Sequence, residues 1–221
     1  MECLNGTGSS SALRRALFPQ GFAGEVMRLV LETWQKFSLH REVQLEKDIT
    51  AVFRDALNEA NIAAGRSWFI SLEEPVTDPT FGKELGRNDL RFFPPFPHHY
   101  GQKVFFAVEC KRLHVTTDSG FRHLADEYVK EGLQRFVDGK YSVGLPCGGM
   151  LGYVMDNRTA DAFARVCNEI KRQRRILKMK NAKMPHSPSS ILPMQPQSAD
   201  SIHHREDGIF TVYHLLVGVV R

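Results

Sequence analysis

Two hydrophobic rhythms alternate along the chain. Phe22, Val26, Val30, Trp34 and Phe37 recur at helical intervals and predict a helix from Phe22 to Phe37. A second helix is predicted from about Glu42 to Ile62, because Val43, Leu45, Ile49, Val52, Phe53, Ala56, Leu57 and Ala60 fall on one broad face. Ser67–Leu72 and Asp89–Phe93 then read as strands, separated by a loop with Pro75, Pro79 and Gly82 as breakers. Val104–Leu113 is richer in large apolar and β-branched residues and reads as a buried central strand. Helical spacing returns at Phe121, Leu124, Ala125, Tyr128, Val129, Leu133 and Phe136, predicting a third helix from roughly Gly120 to Asp138. A strand from Gly149 to Asp156, a fourth helix from Thr159 to about Lys180 and a buried strand from Phe210 to Val220 complete the series. This order predicts an α/β fold, a central mixed β-sheet flanked by helices on both faces. It forms one domain over residues 1–221, with a flexible N-terminus at 1–20 and a Pro- and Ser-rich loop insertion at 184–200.

Some charges do not fit this pattern. Glu109 and Lys111 end the most apolar strand, and residues two apart in a strand share a face. A carboxylate and an ammonium at such a position are costly to desolvate unless they are paired or hold a metal. Asp89 stands on the preceding short strand. Glu42 and Glu46 both fall within the apolar face of the second helix; proximity to the helix N-terminus accounts for Glu42 better than for Glu46.

Mg²⁺ seeks oxygen ligands and keeps several waters. Asp89, Glu109 and the backbone carbonyl of Cys110 can supply such oxygens from adjacent strands. An ion held there polarises a phosphate and lowers the pKa of a bound water, and Lys111 can position that water or stabilise the developing charge. By itself a Glu-x-Lys triplet is equally a same-face salt bridge of little energetic worth. The joint pattern of triplet, upstream acid strand and inward helix acid favours chemistry.

The residues Arg-Asn-Asp-Leu-Arg-Phe around Asp89 and Phe-Ala-Val-Glu-Cys-Lys-Arg-Leu around Glu109 resemble the PD-(D/E)XK nuclease superfamily over roughly residues 40–155. The order helix, three strands, helix, strand is similar to that family's core. One departure is Asn88, where Pro is frequent. The resemblance implies a restriction-endonuclease-like fold and a Mg²⁺-dependent deoxyribonuclease, with Mn²⁺ as a substitute ion. Asp89 and Glu109 would bind the metal, Lys111 would assist the nucleophile, and Glu46, with Glu42 in reserve, would be the helix acid that joins the metal site. Family members often carry polar residues on the helix after the Glu-x-Lys strand. Lys130, Gln134 and Tyr141 fall on a common side of a continued helix, and Arg135 is a further candidate for phosphate contact. The implied partner is DNA, with RNA also admitted, and the implied context is defence against foreign DNA or DNA repair. A homodimer or a place in a larger complex fits such enzymes. The alternative is a catalytically silent nucleic-acid-binding or assembly subunit that keeps the fold.

Composition narrows this only slightly. A net charge of +4 permits an anionic partner without demanding one. The basic run from Lys171 to Lys183 reads first as a solvated helix end and second as a phosphate contact. None of the four cysteines forms a CxxC pair, so neither a cysteine zinc knuckle nor a disulfide framework is suggested, and a reduced, cytoplasmic setting is expected. Cys147 has no base partner in the pattern and reads as structural. Neither a signal-like apolar run nor 18 consecutive apolar residues occurs, so no membrane span is expected. His98-His99 and His203-His204 lack a third ligand at useful spacing and read as loop residues.

Overall fold

The structure is a computed structural model that describes residues 7–40, 42–77, 84–95, 103–180 and 185–220. Helices α1 (Thr7–Leu17), α2 (Phe22–Lys36) and α3 (Glu46–Ala63) precede strands β1 (Phe69–Thr77), β2 (Glu84–Phe93) and β3 (Phe106–Leu113). A small hairpin follows, β4 (Val115–Thr117) and β5 (Gly120–Arg122). The chain then runs without a break through α4 (Ala125–Glu127), a π-helical stretch (Tyr128–Leu133) and α5 (Gln134–Val137). Strand β6 (Cys147–Val154), helix α6 (Thr159–Arg172) and strands β7 (Ser198–Arg205) and β8 (Gly208–Gly218) end the fold. The main sheet has six strands in the order β1-β2-β3-β6-β8-β7. It is mixed: β3–β6 and β6–β8 are parallel and the other neighbours antiparallel. Among the described residues no helix is long and apolar enough to cross a membrane.

Two apolar cores lie on the two faces. Val26, Val30 and Trp34 of α2 and Ile49, Phe53 and Leu57 of α3 pack on Phe106, Val108 and Cys110 of β3. On the other face Tyr128, Val129, Leu133 and Phe136 join Ala107 and Leu113 of β3 with Val166 and Ile170 of α6. Alternate residues of β3 therefore enter opposite cores, as strand geometry requires. Trp34 stacks on Tyr153 of β6 at 5.1 Å, meets Phe53 edge-on at 5.0 Å, and donates its indole N–H to the Gly218 carbonyl at 2.9 Å. Aromatic pairs of this kind contribute about 0.5–1.5 kcal/mol each beyond area burial.

The structure corrects several expectations. Arg14 and Arg15 anchor a helix where a flexible start was predicted, donating to the carbonyls of Val143 (3.2 Å), Ile209 (2.7 Å) and Asp207 (3.1 Å). The second helix starts at Glu46, so Glu42 sits in the turn before it. The third does not begin at Gly120: that segment forms the β4–β5 hairpin, because Val115-Thr116-Thr117 and Gly120-Phe121-Arg122 pair across a turn. That helical run ends at Val137, so Tyr141 lies beyond it. The π-helical stretch also carries an extra residue per turn, which defeats a constant 3.6-residue phase. The fourth helix ends at Arg172, eight residues early, in a series of turns. The loop insertion is shortened by β7, whose Ser-Ala-Asp-Ser start has no strand-like alternation yet is buried. His203 and His204 thus sit on a strand, His203 fully buried. Residues 1–6, His98-His99 and 181–184 lie outside the described residues.

Candidate active site

Pairing between β2 and β3 runs from Phe92↔Phe106 to Leu90↔Val108 and goes no further. The next opposed positions are Asp89 and Glu109. Directly opposed residues of an antiparallel pair share a face, so both carboxylates emerge on one side where the strands part. Beyond this point the edge of β3 is completed by side chains. The Cys110 N–H donates to Asp89 Oδ2 at 2.7 Å, and the Arg112 N–H donates to Glu46 Oε2 at 2.8 Å. Two carboxylates thus cap successive outward N–H groups that β2 would otherwise have satisfied. Within a strand the N–H and C=O of one residue face the same neighbour, so the Cys110 carbonyl also faces the gap beside Asp89.

Lys111 lies at the centre of the cluster. Its ammonium is 3.0 Å from Glu46 Oε1 and 3.1 Å from Glu109 Oε1. Arg135, from α5, donates its Nη1 to the same Glu109 oxygen at 3.2 Å and to Tyr141 Oη at 2.8 Å. Tyr141 Oη in turn donates to the Arg87 carbonyl at 2.6 Å, fixing the diverging end of β2. Helix and sheet meet closely here: a Cβ on Gly132 would lie 2.5 Å from Met150 Cε. A side chain at this position would require the Met150 side chain to move aside.

The Glu109 side chain is 1% exposed. Its Oε2 is buried without a hydrogen-bond partner among the described residues. Burial, and then the neighbouring charge of Asp89, push its carboxyl up to about 8, against the pull of Lys111 and Arg135. Burial raises the Asp89 carboxyl as well, opposed by Lys111 and the Cys110 N–H. For Lys111 the loss of solvation is overcome by Glu109, Glu46 and Asp89, which hold the ammonium in its charged form.

Glu109, Lys111, Glu46, Arg135 and Tyr141 are linked in one network, and Asp89 adjoins it through the Cys110 N–H. Glu46 commits one oxygen to Lys111 and the other to Arg112, and the oxygens of Asp89, Glu109 and Glu46 do not all lie within 4.8 Å of one another. Lys130 and Gln134 are held elsewhere. Lys130 is exposed and pairs with Asp126 at 3.6 Å, and Gln134 donates to Asp138 at 3.3 Å. Tyr141 enters the network by a return of the chain after Gly139, whose φ is 70°, and not as part of a helix face.

Sequence reasoning passed over a second cluster. His114, His123 and Asp161 each bring a ligand atom to within 4.8 Å of the other two, an arrangement that could hold a metal ion. Their separation in sequence gives no spacing motif; pairing of β4 with β5 supplies the proximity of the two histidines.

The fold and both clusters define an α/β protein with a six-stranded mixed sheet and a carboxylate–lysine site at a strand divergence. No protein-family model, curated protein or solved structure matches the chain.

Proposed function

We propose that the protein is a divalent-cation-dependent nuclease of the restriction-endonuclease-like type, hydrolysing phosphodiester bonds in DNA. The observation that carries this reading is the buried Glu109 carboxylate with one oxygen unpartnered, set opposite Asp89 and beside a lysine that three carboxylates keep charged. A purely structural salt bridge has no use for a second acid that raises the pKa of the first. Leaving one buried oxygen of the acid without a hydrogen-bond partner costs about 1–3 kcal/mol. The order α3, β1–β2–β3, helix, β6, with β3 and β6 parallel, also agrees with the implied core.

The residues fit Mg²⁺, which takes one or two carboxylates and retains several waters. Asp89, Glu109 and the Cys110 carbonyl would hold it, and when bound it would supply polarisation of the phosphate and acidification of a water. Lys111 stays cationic, so its role is to donate a hydrogen bond and stabilise negative charge on the phosphate, not to remove a proton. Glu46 orients Lys111 and braces the edge of β3. Arg135, 37% exposed at the side chain, offers the outward-facing part of its guanidinium to a phosphate oxygen.

The test is cleavage of supercoiled, linear and single-stranded DNA, with RNA alongside, in Mg²⁺, Mn²⁺ or EDTA. Cation-dependent cleavage should be lost in Glu109→Ala and Lys111→Ala. Equal cleavage by wild type and both variants would sink the assignment. DNA binding with no cleavage by any form would favour the silent-subunit alternative.

A further inference from the structure

We propose that His114, His123 and Asp161 form a Zn²⁺ site, separate from the carboxylate–lysine cluster, that fastens the β4–β5 hairpin to helix α6. His114 follows the last residue of β3, His123 follows β5, and Asp161 is in the first turn of α6. The His114 N–H donates to the His123 carbonyl at 3.2 Å, closing the base of the hairpin and bringing the two rings to 5.1 Å between centroids.

The nitrogens themselves carry the assignment. The His114 side chain is fully buried, and its Nδ1 is bonded to Asp156, at 2.9 and 3.1 Å from the two carboxylate oxygens. That bond places the ring proton on Nδ1 and leaves the Nε2 lone pair free. His114 Nε2 and His123 Nδ1 are both buried without a hydrogen-bond partner among the described residues. His114 Nε2 lies 3.6 Å from Asp161 Oδ2, too far for a hydrogen bond. Two ligands each about 2.1 Å from one ion stand about 3.4 Å apart at a tetrahedral angle and about 3.0 Å apart at an octahedral one. The spacing therefore suits the tetrahedral ion. Two imidazoles and one carboxylate suit Zn²⁺ rather than Mg²⁺ or Ca²⁺, which prefer oxygen alone.

The surroundings are those of a metal-bound histidine. Asp156 orients His114 from behind, and Arg158 holds Asp156 through its backbone N–H (3.0 Å) and its Nε (2.6 Å). Arg165 steadies Asp161 with Nε at 3.2 and 3.1 Å from its two oxygens. Such carboxylate–histidine–metal relays fix the tautomer and the ring orientation. Asp161 is 40% exposed, so a water can complete the fourth position.

The experiment uses the full chain without an affinity tag, stripped with chelator and reconstituted with Zn²⁺, or with Co²⁺ as a spectroscopic probe. Wild type should retain one equivalent of Zn²⁺ through gel filtration and give the visible Co²⁺ spectrum of a tetrahedral nitrogen–oxygen site. His123→Ala and Asp161→Ala should each lose that equivalent, and Asp156→Asn should bind about 10–100-fold more weakly. Glu109→Ala should keep the Zn²⁺ equivalent, which separates this site from the Mg²⁺ site. Hydrogen exchange over Val115–Arg122 should slow on Zn²⁺ addition in wild type and not in Asp161→Ala. Failure of wild type to retain Zn²⁺, or retention unchanged in both His123→Ala and Asp161→Ala, would overturn the proposal. So would a thiolate-type or octahedral Co²⁺ spectrum.

Discussion

The helical run from Ala125 to Val137 contributes to two buried polar clusters that differ in one respect. Near its start, Tyr128 opens a chain of hydrogen bonds: Tyr128 Oη to His214 Nδ1 (3.0 Å), His214 Nε2 to Ser201 Oγ (2.7 Å), Ser201 Oγ to His203 Nε2 (2.7 Å) and His203 Nδ1 to the Leu177 carbonyl (2.7 Å). The protons can be assigned from the end. A carbonyl only accepts, so His203 Nδ1 donates to it and its Nε2 accepts from Ser201. His214 Nε2 then donates to Ser201, and His214 Nδ1 accepts from Tyr128. Every ring nitrogen is used with both histidines neutral, and burial holds them at about 4 and about 3. Near the end of the run, Arg135 meets Glu109, whose Oε2 is left over. One cluster completes itself within the fold. The other leaves one acid oxygen over. Hydroxyl and amide atoms such as those of Thr33, Ser71 and Asn61 are also unpartnered, but an acid oxygen left bare becomes far costlier once the group ionises.

Replacing the incomplete group should separate function from stability. Glu109→Gln keeps an oxygen for Lys111 and Arg135 while removing the group that can carry the buried charge. Cation-dependent cleavage should fall by at least about 10²-fold, the scale of losing one preorganised charged group at a reacting phosphate. Thermal stability at pH 8 without divalent ions should rise. A fall in both would mean that Glu109 serves the fold alone. The opposite substitution is Ser201→Ala, which strands His203 Nε2 and His214 Nε2 together. At about 1–3 kcal/mol for each unsatisfied buried group, denaturant unfolding should register a loss of roughly 2–6 kcal/mol, with cleavage per folded molecule unchanged.

The two clusters also respond to pH in opposite senses. For His203 and His214 the folded values lie below the unfolded one, so their stabilisation is complete above about 6.5 and is lost as pH falls. For Glu109 the folded value of about 8 lies above the unfolded one. Folding then favours the protonated acid, and its contribution is greatest below about 4.5 and is lost as pH rises to 8. Between about pH 7 and 8 the histidines are largely neutral in both states, and the raised carboxyl of Glu109 dominates. In that window stability without divalent ions should fall with rising pH, by about 1 kcal/mol. Both added Mg²⁺ and Glu109→Gln should flatten the slope. Below about 4.5 the lowered carboxylates of Asp207 and Glu169 join the histidines in destabilising the fold.

Legibility in the sequence followed the same division. The α/β order, the central strand, the inward acid on the second helix and the pairing of Asp89 with Glu109-x-Lys111 could be read because local period and charge conflict within a few residues. The β4–β5 hairpin, β7 and the turn carrying Tyr141 could not. Val115–Arg122 is too short for a period, β7 buries serines and an aspartate that look like loop, and the π-helical stretch shifts the phase that would have placed Arg135. The His203–His214 chain and the His114–His123–Asp161 cluster are products of tertiary pairing. Their members stand alone or beside unrelated residues in the sequence, and only strand register brings them together.

Tyr141→Phe gives the smallest effect and the sharpest view of how the incomplete cluster is held. The hydroxyl accepts from Arg135 and donates to the Arg87 carbonyl, while the ring packs edge-on against Phe136 at 5.5 Å. Phenylalanine keeps the ring and removes both bonds. The Arg87 carbonyl lies on β2 two residues before Asp89, and Arg135 retains its bond to Glu109, so the ligands remain but their support is loosened. The expected stability loss is about 1 kcal/mol. Cleavage should weaken mainly through a higher Mg²⁺ requirement, with the rate at saturating Mg²⁺ within a few-fold of wild type. A Mg²⁺ titration of the two proteins side by side reads this directly. An unchanged Mg²⁺ midpoint with a lowered maximal rate would move Tyr141 from the support of the metal ligands to the positioning of Arg135 on the substrate.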